Sequence, residues 1–337
     1  MTGRIFPLDG WRGLAISAVL VGHFFPVPGI NLGTLGVELF FVLSGRLMAD
    51  ILFVKKLPLG EFFYRRVTRI LPALLVFVAA FWIVAEMLGE PFSLSPLWVV
   101  AAGTFTLNYL AVFAHHPGWF DHLWSLCVEE HAYMLLGLIA YLFGRSSGRP
   151  VVVVWVLGAA AMLNGVFSFL VLHMEYDDVY WRSDVHVASI FLSGGIYLAL
   201  RQSINAETVK RFATPVFLAA LTGGVLFSLE AAPLPLNYTL GTLCFCVAVA
   251  LCDIAAKPIV AALSWPGLTQ VGLWSYSLYL WQQPFYKAYG LYPEWKLAML
   301  AGAIAMGIAS YYFVERPARR WLNSLWGRWG RKVAAST

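Results

Sequence analysis

Residues 8–25 read LDGWRGLAISAVLVGHFF, an apolar stretch that contains an arginine, Arg12, and a histidine, His23. Eleven helical steps turn about 1,100°, which is within about 20° of three full turns. The two side chains therefore share one face of the predicted helix, about 16 Å apart along its axis. Ionisable residues inside apolar helices usually face a bundle interior or a water-filled cavity, and they indicate a functional site. The alternative is an interfacial anchor for Arg12 and a hydrogen-bonded core histidine for His23.

The composition of the whole chain indicates a membrane protein. Of the 337 residues, 60% are hydrophobic and 12% are charged, whereas a soluble domain usually has about 25% charged residues. Apolar runs of about 20 residues recur along the chain, and the alternating segments of a β-barrel do not. The net charge of +5 lies mostly in short loops, so it indicates membrane topology and not nucleic-acid binding. No metal site is predicted.

The apolar segments predict an all-α polytopic membrane protein. They lie at 8–25, 33–54, 70–88, 97–113, 122–143, 150–172, 184–200, 211–230, 236–255, 270–289 and 296–314. If all of them crossed, the basic loops after residue 113 would face outward. If 97–113 is short or re-entrant, most lysines and arginines fall on the cytoplasmic side, as the positive-inside rule requires. The charge pattern therefore predicts about ten transmembrane helices, both termini cytoplasmic, and the acidic loops at 175–184 and 230 outside.

The domain prediction follows from the same pattern. Residues 1–320 form one integral membrane domain, and residues 321–337 form a basic cytoplasmic tail. The predicted location is the plasma (inner) membrane of a bacterium.

Several other predicted helices carry ionisable groups. These are Glu38, Arg46, His122, Glu129, Glu130, His131, Arg182, Asp184, His186 and Glu315. An unpaired ion in hydrocarbon costs several kcal/mol, so at least some of these groups should meet. The simplest arrangement is a shared polar cavity.

A basic cluster lies in the stretch FFYRRVTRILPA at residues 62–73. Arg66 and Arg69 are three residues apart and share one helix face, with Arg65 beside them. Such a cluster suits the phosphates of a soluble anionic ligand. A positive-inside anchor to anionic lipid explains it equally well.

Six stretches in sequence order resemble the acyltransferase-3 family. They are LDGWRGLAI…GH, GVELFFVLSG, FFYRRVTRILPA, HLWSLCVEE, YSLYLWQQP and YYFVERPARR. Each stretch alone is weak evidence, but the six together run from residue 6 to about residue 320. The resemblance implies an integral membrane enzyme that moves acyl groups, usually acetyl, from cytoplasmic acyl-CoA to a carbohydrate or glycolipid acceptor.

The resemblance also assigns residues to motifs. The family's Arg–ten residues–His pattern falls on Arg12 and His23, and its RxxR pattern falls on Arg66 and Arg69. The glutamates of its WSLxVE and VERP motifs fall on Glu129 and Glu315.

Three positions depart from the family's pattern. Glu38 stands where GVDxFFVxSG has aspartate. Arg182 and Asp184 match the first part of RxDAL, but the rest of that motif is changed to VHVAS. Many relatives read YLWHxP where this chain has Gln282, so a catalytic role for a histidine there does not carry over. His23 is then the better candidate base.

The predicted mechanism combines these elements. The phosphates of acetyl-CoA, or of another acyl-CoA, would bind Arg65, Arg66 and Arg69, and the pantetheine arm would extend toward His23. His23 would activate the acceptor hydroxyl or an acyl relay, oriented by Glu129 or Glu38 as in a catalytic triad.

Two other classes of protein stay open at this point. A proton-coupled transporter or flippase also uses intramembrane His, Glu and Arg, but it predicts inverted repeats or matched broken helices. A membrane scaffold gives no reason for so many buried charges.

Overall fold

In the computed structural model, the described residues are 5–114, 118–144, 148–203 and 206–336. Over these residues the chain is helical, and its β-structure is limited to isolated bridges. This confirms the all-α prediction. Arg4 and Arg145, two cations of the predicted charge map, lie outside the described residues.

The chain forms two compact units. The first comprises residues 1–56, 108–116 and 123–275, and the second comprises 57–107, 117–122 and 276–337. Helix α14 (Pro266–Leu291) begins in the first unit and ends in the second. The predicted membrane domain over 1–320 and basic tail over 321–337 stay predictions.

The other helices of the first unit are α1 (Phe6–Phe24), α2 (Leu32–Ala49), α5 (Leu107–Ala114), α6 (Leu123–Phe143), α7 (Arg149–Leu170), α8 (Tyr176–Tyr180), α9 (Ser183–Ser203), α10 (Ala206–Phe227), α11 (Leu234–Leu236), α12 (Thr242–Leu251) and α13 (Lys257–Leu263). Those of the second unit are α3 (Leu59–Leu88), α4 (Pro96–Gly103), α15 (Lys296–Ser310) and α16 (Arg316–Ser336). Five-residue π-helical turns lie at Asp50–Val54, Asn237–Gly241 and Tyr311–Glu315. Short 3₁₀ turns lie at Gly118–Phe120 and Pro293–Trp295.

Seven helical stretches of the described chain are long and apolar enough to cross a membrane. They are Leu59–Leu88, Leu123–Phe143, Arg149–Leu170, Ser183–Arg201, Glu207–Phe227, Leu234–Leu251 and Pro293–Gly327. The chain is therefore an all-α membrane protein. The helices α1, α2 and α14 also form where segments were predicted, and they carry ionisable or amide side chains such as Arg12, Glu38 and Gln282.

The segment 97–113 is broken into two short helices. Each of α4 and α5 has eight residues, which is about 12 Å of helix against an apolar core of about 30 Å. The break follows Thr104, whose hydroxyl donates to the carbonyl oxygen of Val100 at 2.9 Å. Phe105 then takes a left-handed conformation with φ of 57°. Neither helix alone can span a bilayer.

Close helix packing determines which side chains meet in the first unit. A Cβ at Gly36 would lie 2.6 Å from the carbonyl oxygen of Ala15 on α1, and a Cβ at Gly45 would lie 2.0 Å from that of Ile190 on α9. Such close backbone approach is typical of membrane helices that pack through small residues. The hydroxyl of Ser193 on α9 also donates to the carbonyl oxygen of Val42 on α2. Helix α2 is therefore held tightly against both α1 and α9.

Candidate functional site

The packing of α2 on α9 places Glu38 beside His186. The carboxylate oxygen Oε2 of Glu38 lies 3.5 Å from Nε2 of His186. The other oxygen, Oε1, accepts a hydrogen bond of 2.7 Å from the hydroxyl of Thr242 on α12. Three helices thus hold one carboxylate, with its side chain 13% exposed. The predicted meeting of intramembrane charges occurs here.

His186 is almost completely buried, with 1% of its surface exposed. Aromatic rings surround its imidazole, and the nearest is Tyr180 at 4.3 Å between ring centroids. Phe41 and Trp124 follow at 5.1 and 5.5 Å. Its Nδ1 is buried and has no hydrogen-bond partner among the described residues.

Glu38 and His186 line a cavity of about 290 Å³ in the first unit. Its aromatic wall consists of Phe169, Tyr176, Tyr180, Tyr238 and Phe245. Its further polar groups include Asn31, Thr34, Asn237 and Thr242. A volume near 300 Å³ is at the small end of ligand-binding pockets, which combine an apolar lining with a few placed polar groups. Partial burial raises the pKa of Tyr176, so its phenol stays neutral.

Two loops meet beside this cavity. The backbone N–H of Glu230 donates to the carbonyl oxygen of Gly29 at 2.8 Å, and Ile30 forms an isolated bridge with Leu229. Gly29 has a φ of 83°, which favours glycine. Because Asn31 and Glu230 both line the cavity, these loops form part of its wall. The charge pattern predicts that the loop at residue 230 lies on the outer side of the membrane.

His23 lies close to the same region. A Cβ built at Gly33 would be 3.3 Å from His23 Nε2 and 3.3 Å from Asn31 Oδ1. The imidazole and the Asn31 side chain therefore flank one glycine, and Asn31 lines the cavity. His23 is half-buried. Its predicted role as the base is compatible with this position and stays a prediction.

Arg12 lies three turns away along α1, as the helical spacing predicts. Its guanidinium pairs with Asp9 at 3.4 Å, and the Arg12 side chain is 20% exposed. The pair is next to close contacts with α13 and α14, where a Cβ at Gly10 or Gly272 would meet backbone atoms of Leu263 or Asp9. Arg12 is thus ion-paired within its own helix, and its role in donor binding stays a prediction.

Glu129 and Glu130 are both half-buried on α6. Oε1 of Glu129 accepts a hydrogen bond of 2.6 Å from the hydroxyl of Ser44 on α2. The imidazole that Glu38 faces is that of His186. Whether Glu129 or Glu38 also orients His23, as the predicted triad requires, stays a prediction.

Arg182 and Asp184 form a pair at the start of α9. Nε of Arg182 lies 3.1 Å from Asp184 Oδ1, and Nδ2 of Asn164 donates to Oδ2 at 2.8 Å. The hydroxyl of Tyr109 also donates to Oδ1 at 3.1 Å. Hydrogen bonding to Asp184 raises the pKa of Arg182 further above its usual value, so the pair stays ionised. Neither residue lines the cavity with Glu38. Their contacts hold the start of α9 in place.

The three predicted donor-site arginines lie on α3 in the second unit. Arg65 is exposed and pairs with Glu61 one turn earlier. Arg66 is buried, with 9% exposed, and Arg69 is half-buried. Helix α16 packs against this part of α3, where Tyr64 donates to the carbonyl oxygen of Leu322 at 2.6 Å. Because Arg65 and Arg66 differ so much in exposure, the three cations are not equivalent ligands for a phosphate.

The remaining predicted candidates also lie in the second unit. Glu315, 2% exposed, accepts a hydrogen bond of 2.8 Å from the hydroxyl of Ser277 and lies 3.9 Å from Arg319. His122 is buried against the rings of Phe77 and Tyr279. Gln282, at the departure from YLWHxP, is fully buried.

One ion pair of a buried arginine was not predicted from the sequence. Arg46 on α2 lies 2.7 Å from Asp253, and its guanidinium also contacts Cys252 Sγ at 3.3 Å. Its guanidinium carbon is 5.1 Å from the centroid of the Tyr197 ring. Asp253 follows α12 in the sequence, so only the tertiary fold brings it to Arg46. Thr242, the partner of Glu38, was also missed, because a single threonine in an apolar helix carries no signal of its role.

The fold and the site together define an integral membrane protein with a cavity lined by aromatic and polar side chains. Residues 6–314 match the acyltransferase domain of the acyltransferase-3 family, so the chain belongs to this family. The family predicted from the six motifs is therefore confirmed. The alternatives of a transporter and of a scaffold gain no support.

The curated relatives that the chain matches include bacterial proteins named as O-acetyltransferases or as a transacylase. The chain is 27% identical to the O-acetyltransferase OatA of Staphylococcus aureus over 93% of its own length. It is 28% identical, over 92% of its length, to BcsY of Komagataeibacter xylinus, named as a proposed membrane-bound transacylase. It is 25% identical, over 93% of its length, to YrhL of Bacillus subtilis, named as a proposed peptidoglycan O-acetyltransferase.

The matches differ in how much of each relative they cover. The chain spans 57% of OatA and 54% of YrhL, about half the length of each, and 81% of BcsY. No solved structure matches the chain significantly.

Proposed function

We propose that the protein is an O-acyltransferase that moves an acyl group, most simply acetyl, from acyl-CoA to a hydroxyl of a cell-surface or exported carbohydrate. The observation that carries the proposal is an acyltransferase domain over residues 6–314 that contains a cavity lined by Glu38 and His186. The relatives OatA and YrhL are named for O-acetyl transfer, which supports an oxygen as the acceptor atom.

The proposed reaction is acyl transfer through a tetrahedral intermediate. The acceptor hydroxyl gives its proton to His23 while its oxygen bonds to the thioester carbon. The C–S bond then breaks, and the departing CoA thiolate takes the proton back from His23. An imidazole suits this exchange because its pKa is near neutrality, and such a base typically contributes about 10²–10⁴-fold. The position of His23 beside Asn31, which lines the cavity, supports this role.

The donor is proposed to bind through its phosphates to Arg65, Arg66 and Arg69. The exposed Arg65 and the half-buried Arg69 suit charge-assisted hydrogen bonds to phosphate oxygens.

The proposed topology has about ten crossings in a bacterial inner membrane, with both termini cytoplasmic. Among the described residues, seven helical stretches have the length and apolarity to cross. We assign three more crossings to α1, α2 and α14, which carry polar side chains within their apolar segments.

Acyl transfer by the purified full chain tests the proposed function. Incubation with radiolabelled acetyl-CoA and a sugar acceptor should release free CoA and place the label on the sugar, in a reaction that needs the protein. A transporter or a scaffold would release none. Mass spectrometry of surface glycans from a deletion strain, which should lose acyl groups on specific hydroxyls, identifies the native acceptor.

A further inference from the structure

The cavity beside Glu38 and His186 has a lining that suits a sugar ring. Sugars present C–H bonds on their ring faces and hydroxyl groups at their edges. Aromatic side chains contact such faces, and carboxylate, amide and hydroxyl groups bind such edges. Both kinds of group line this cavity, and its volume of about 290 Å³ is that of a small-ligand site.

The charge of the lining restricts the ligand further. Two carboxylates, Glu38 and Glu230, line the cavity, and no lysine or arginine does among the residues that the structure describes. A sugar with a carboxylate or a phosphate would bring a like charge next to them, and like charges repel. The lining therefore disfavours anionic sugars.

Two of the three departures from the family's pattern touch each other at this point. Glu38 is one methylene longer than the aspartate of GVDxFFVxSG, and His186 stands in the altered part of RxDAL. Their side chains approach to 3.5 Å, although their positions are far apart in the sequence. Thr242 holds the other carboxylate oxygen at 2.7 Å, so His186 and Thr242 together fix the direction of the Glu38 carboxylate.

We propose that this cavity is the acceptor site, that it binds a sugar ring without negative charge, and that His186 positions Glu38 to accept a hydrogen bond from a sugar hydroxyl. The inference rests on the proposed function. Glu38 is the group that touches the acceptor, and His186 acts through it as a positioning residue. The preference for an uncharged acceptor then depends on Glu38 and His186.

The test compares acceptors and variants of the purified full-length protein. The acceptors are a neutral tetrasaccharide of N-acetylglucosamine and a tetrasaccharide of galacturonic acid, each with labelled acetyl-CoA. The neutral sugar should be acylated at least about tenfold more efficiently, which is the effect of about one polar contact. Equal use of the anionic sugar would overturn the proposed charge preference, and use of neither sugar would overturn the proposed acceptor class.

The variants distinguish a positioning role of His186 from a purely structural role. His186→Leu should raise the KM for the neutral sugar about tenfold and raise the KM for acetyl-CoA less. His186→Gln, which keeps a hydrogen-bond donor, should recover part of this loss. His173→Gln, at an exposed histidine, is the matched control and should behave as the wild type. An unchanged acceptor KM in folded His186→Leu would overturn the role of His186.

A double-mutant cycle tests the coupling directly. Because Glu38 and His186 are in contact, Glu38→Asp combined with His186→Leu should lose less than the product of the two single losses. Multiplicative losses would show that the two residues act independently.

Equilibrium dialysis separates this inference from the proposed function. If the wild type binds the labelled neutral tetrasaccharide and His186→Leu does not, the acceptor site stands even when no acyl transfer is seen. If the wild type transfers acetyl groups but folded His186→Leu keeps its acceptor KM, the function stands and the inference fails.

Discussion

His23 is the general base predicted from the sequence, and the structure shows where its imidazole lies. The imidazole is half-buried next to Gly33 and flanks the cavity wall at Asn31. A general base affects turnover more than donor binding, so His23→Ala and His23→Gln should each lower acyl transfer by about 10²–10⁴-fold. Binding of acetyl-CoA, measured by equilibrium dialysis on the same preparations, should change little. Glutamine keeps hydrogen bonding but cannot accept a proton at neutral pH.

The control for this prediction is His173→Gln, which should keep wild-type transfer because His173 is exposed in a loop. Near-normal turnover in His23→Gln would make His23 a structural residue. The base would then have to be sought among Glu38, Glu129, Asp184 and His186.

The arginines on α3 give a second prediction at the residue scale. Replacing Arg66 and Arg69 together by alanine should raise the KM for acetyl-CoA at least tenfold, because each charge-assisted hydrogen bond contributes about 1.5–3 kcal/mol. Arg211→Ala is the matched control, since Arg211 is an exposed basic residue on α10. An unchanged donor KM in the double variant would leave the two arginines as topological anchors to anionic lipid.

Individual residues also show which features could be predicted from the sequence and which could not. The shared face of Arg12 and His23 follows from helical geometry alone, and both lie on α1. The contact of Glu38 with His186 could not be derived, because it depends on how α2 packs on α9. Sequence patterns report periodicity within a helix, whereas partner choice between helices depends on shape complementarity over the whole unit.

Among the elements, α2 is the one whose packing the site depends on most. Gly45 allows α2 to approach α9 so closely that a Cβ there would lie 2.0 Å from the carbonyl oxygen of Ile190. Gly45→Ala should therefore destabilise the protein by about 1–3 kcal/mol, as overpacked cores do. It should also reduce acyl transfer, since it displaces Glu38 from His186. Thermal unfolding in detergent measures the first effect.

Gly103→Ala is the matched control for this prediction, because a Cβ at Gly103 would meet nothing within 4 Å. It should leave the unfolding temperature unchanged or raise it slightly, as helical Gly-to-Ala changes do. Equal stability of both variants would mean that α2 and α9 can separate without cost.

The elements themselves were largely predictable from apolar runs, with instructive exceptions. The polar stretch GTFTLNY marked 97–113 as unusual, and the structure breaks it at Thr104 and Phe105 into α4 and α5. The π-helical turn Asn237–Gly241 was not predictable, because it adds no change in composition. It nonetheless brings Asn237 and Tyr238 to the cavity wall.

For the molecule as a whole, the side of the membrane on which each later loop lies depends on whether the segment 97–113 crosses. The two helices of this segment have eight residues each, about 12 Å, against an apolar core of about 30 Å. If the segment does not cross, every later loop keeps the side that the positive-inside rule assigns. The loop with Glu175 then faces outward, with Glu230 of the cavity wall, and the start of α10, which carries Lys210, lies on the cytoplasmic side.

Cysteine labelling in intact cells tests this topology. Both Glu175 and Lys210 are exposed, so single cysteines at these positions should be equally reactive once the membrane is permeabilised. With an impermeant maleimide and intact cells, Glu175→Cys should label and Lys210→Cys should not. The parent chain is the blank, since three of its four cysteines are buried and Cys244 is half-buried in an apolar helix. Labelling of Lys210→Cys in intact cells would mean that 97–113 crosses the membrane. The basic loops after it would then face outward, and the cavity wall at Glu230 would open toward the cytoplasm, on the same side as acyl-CoA.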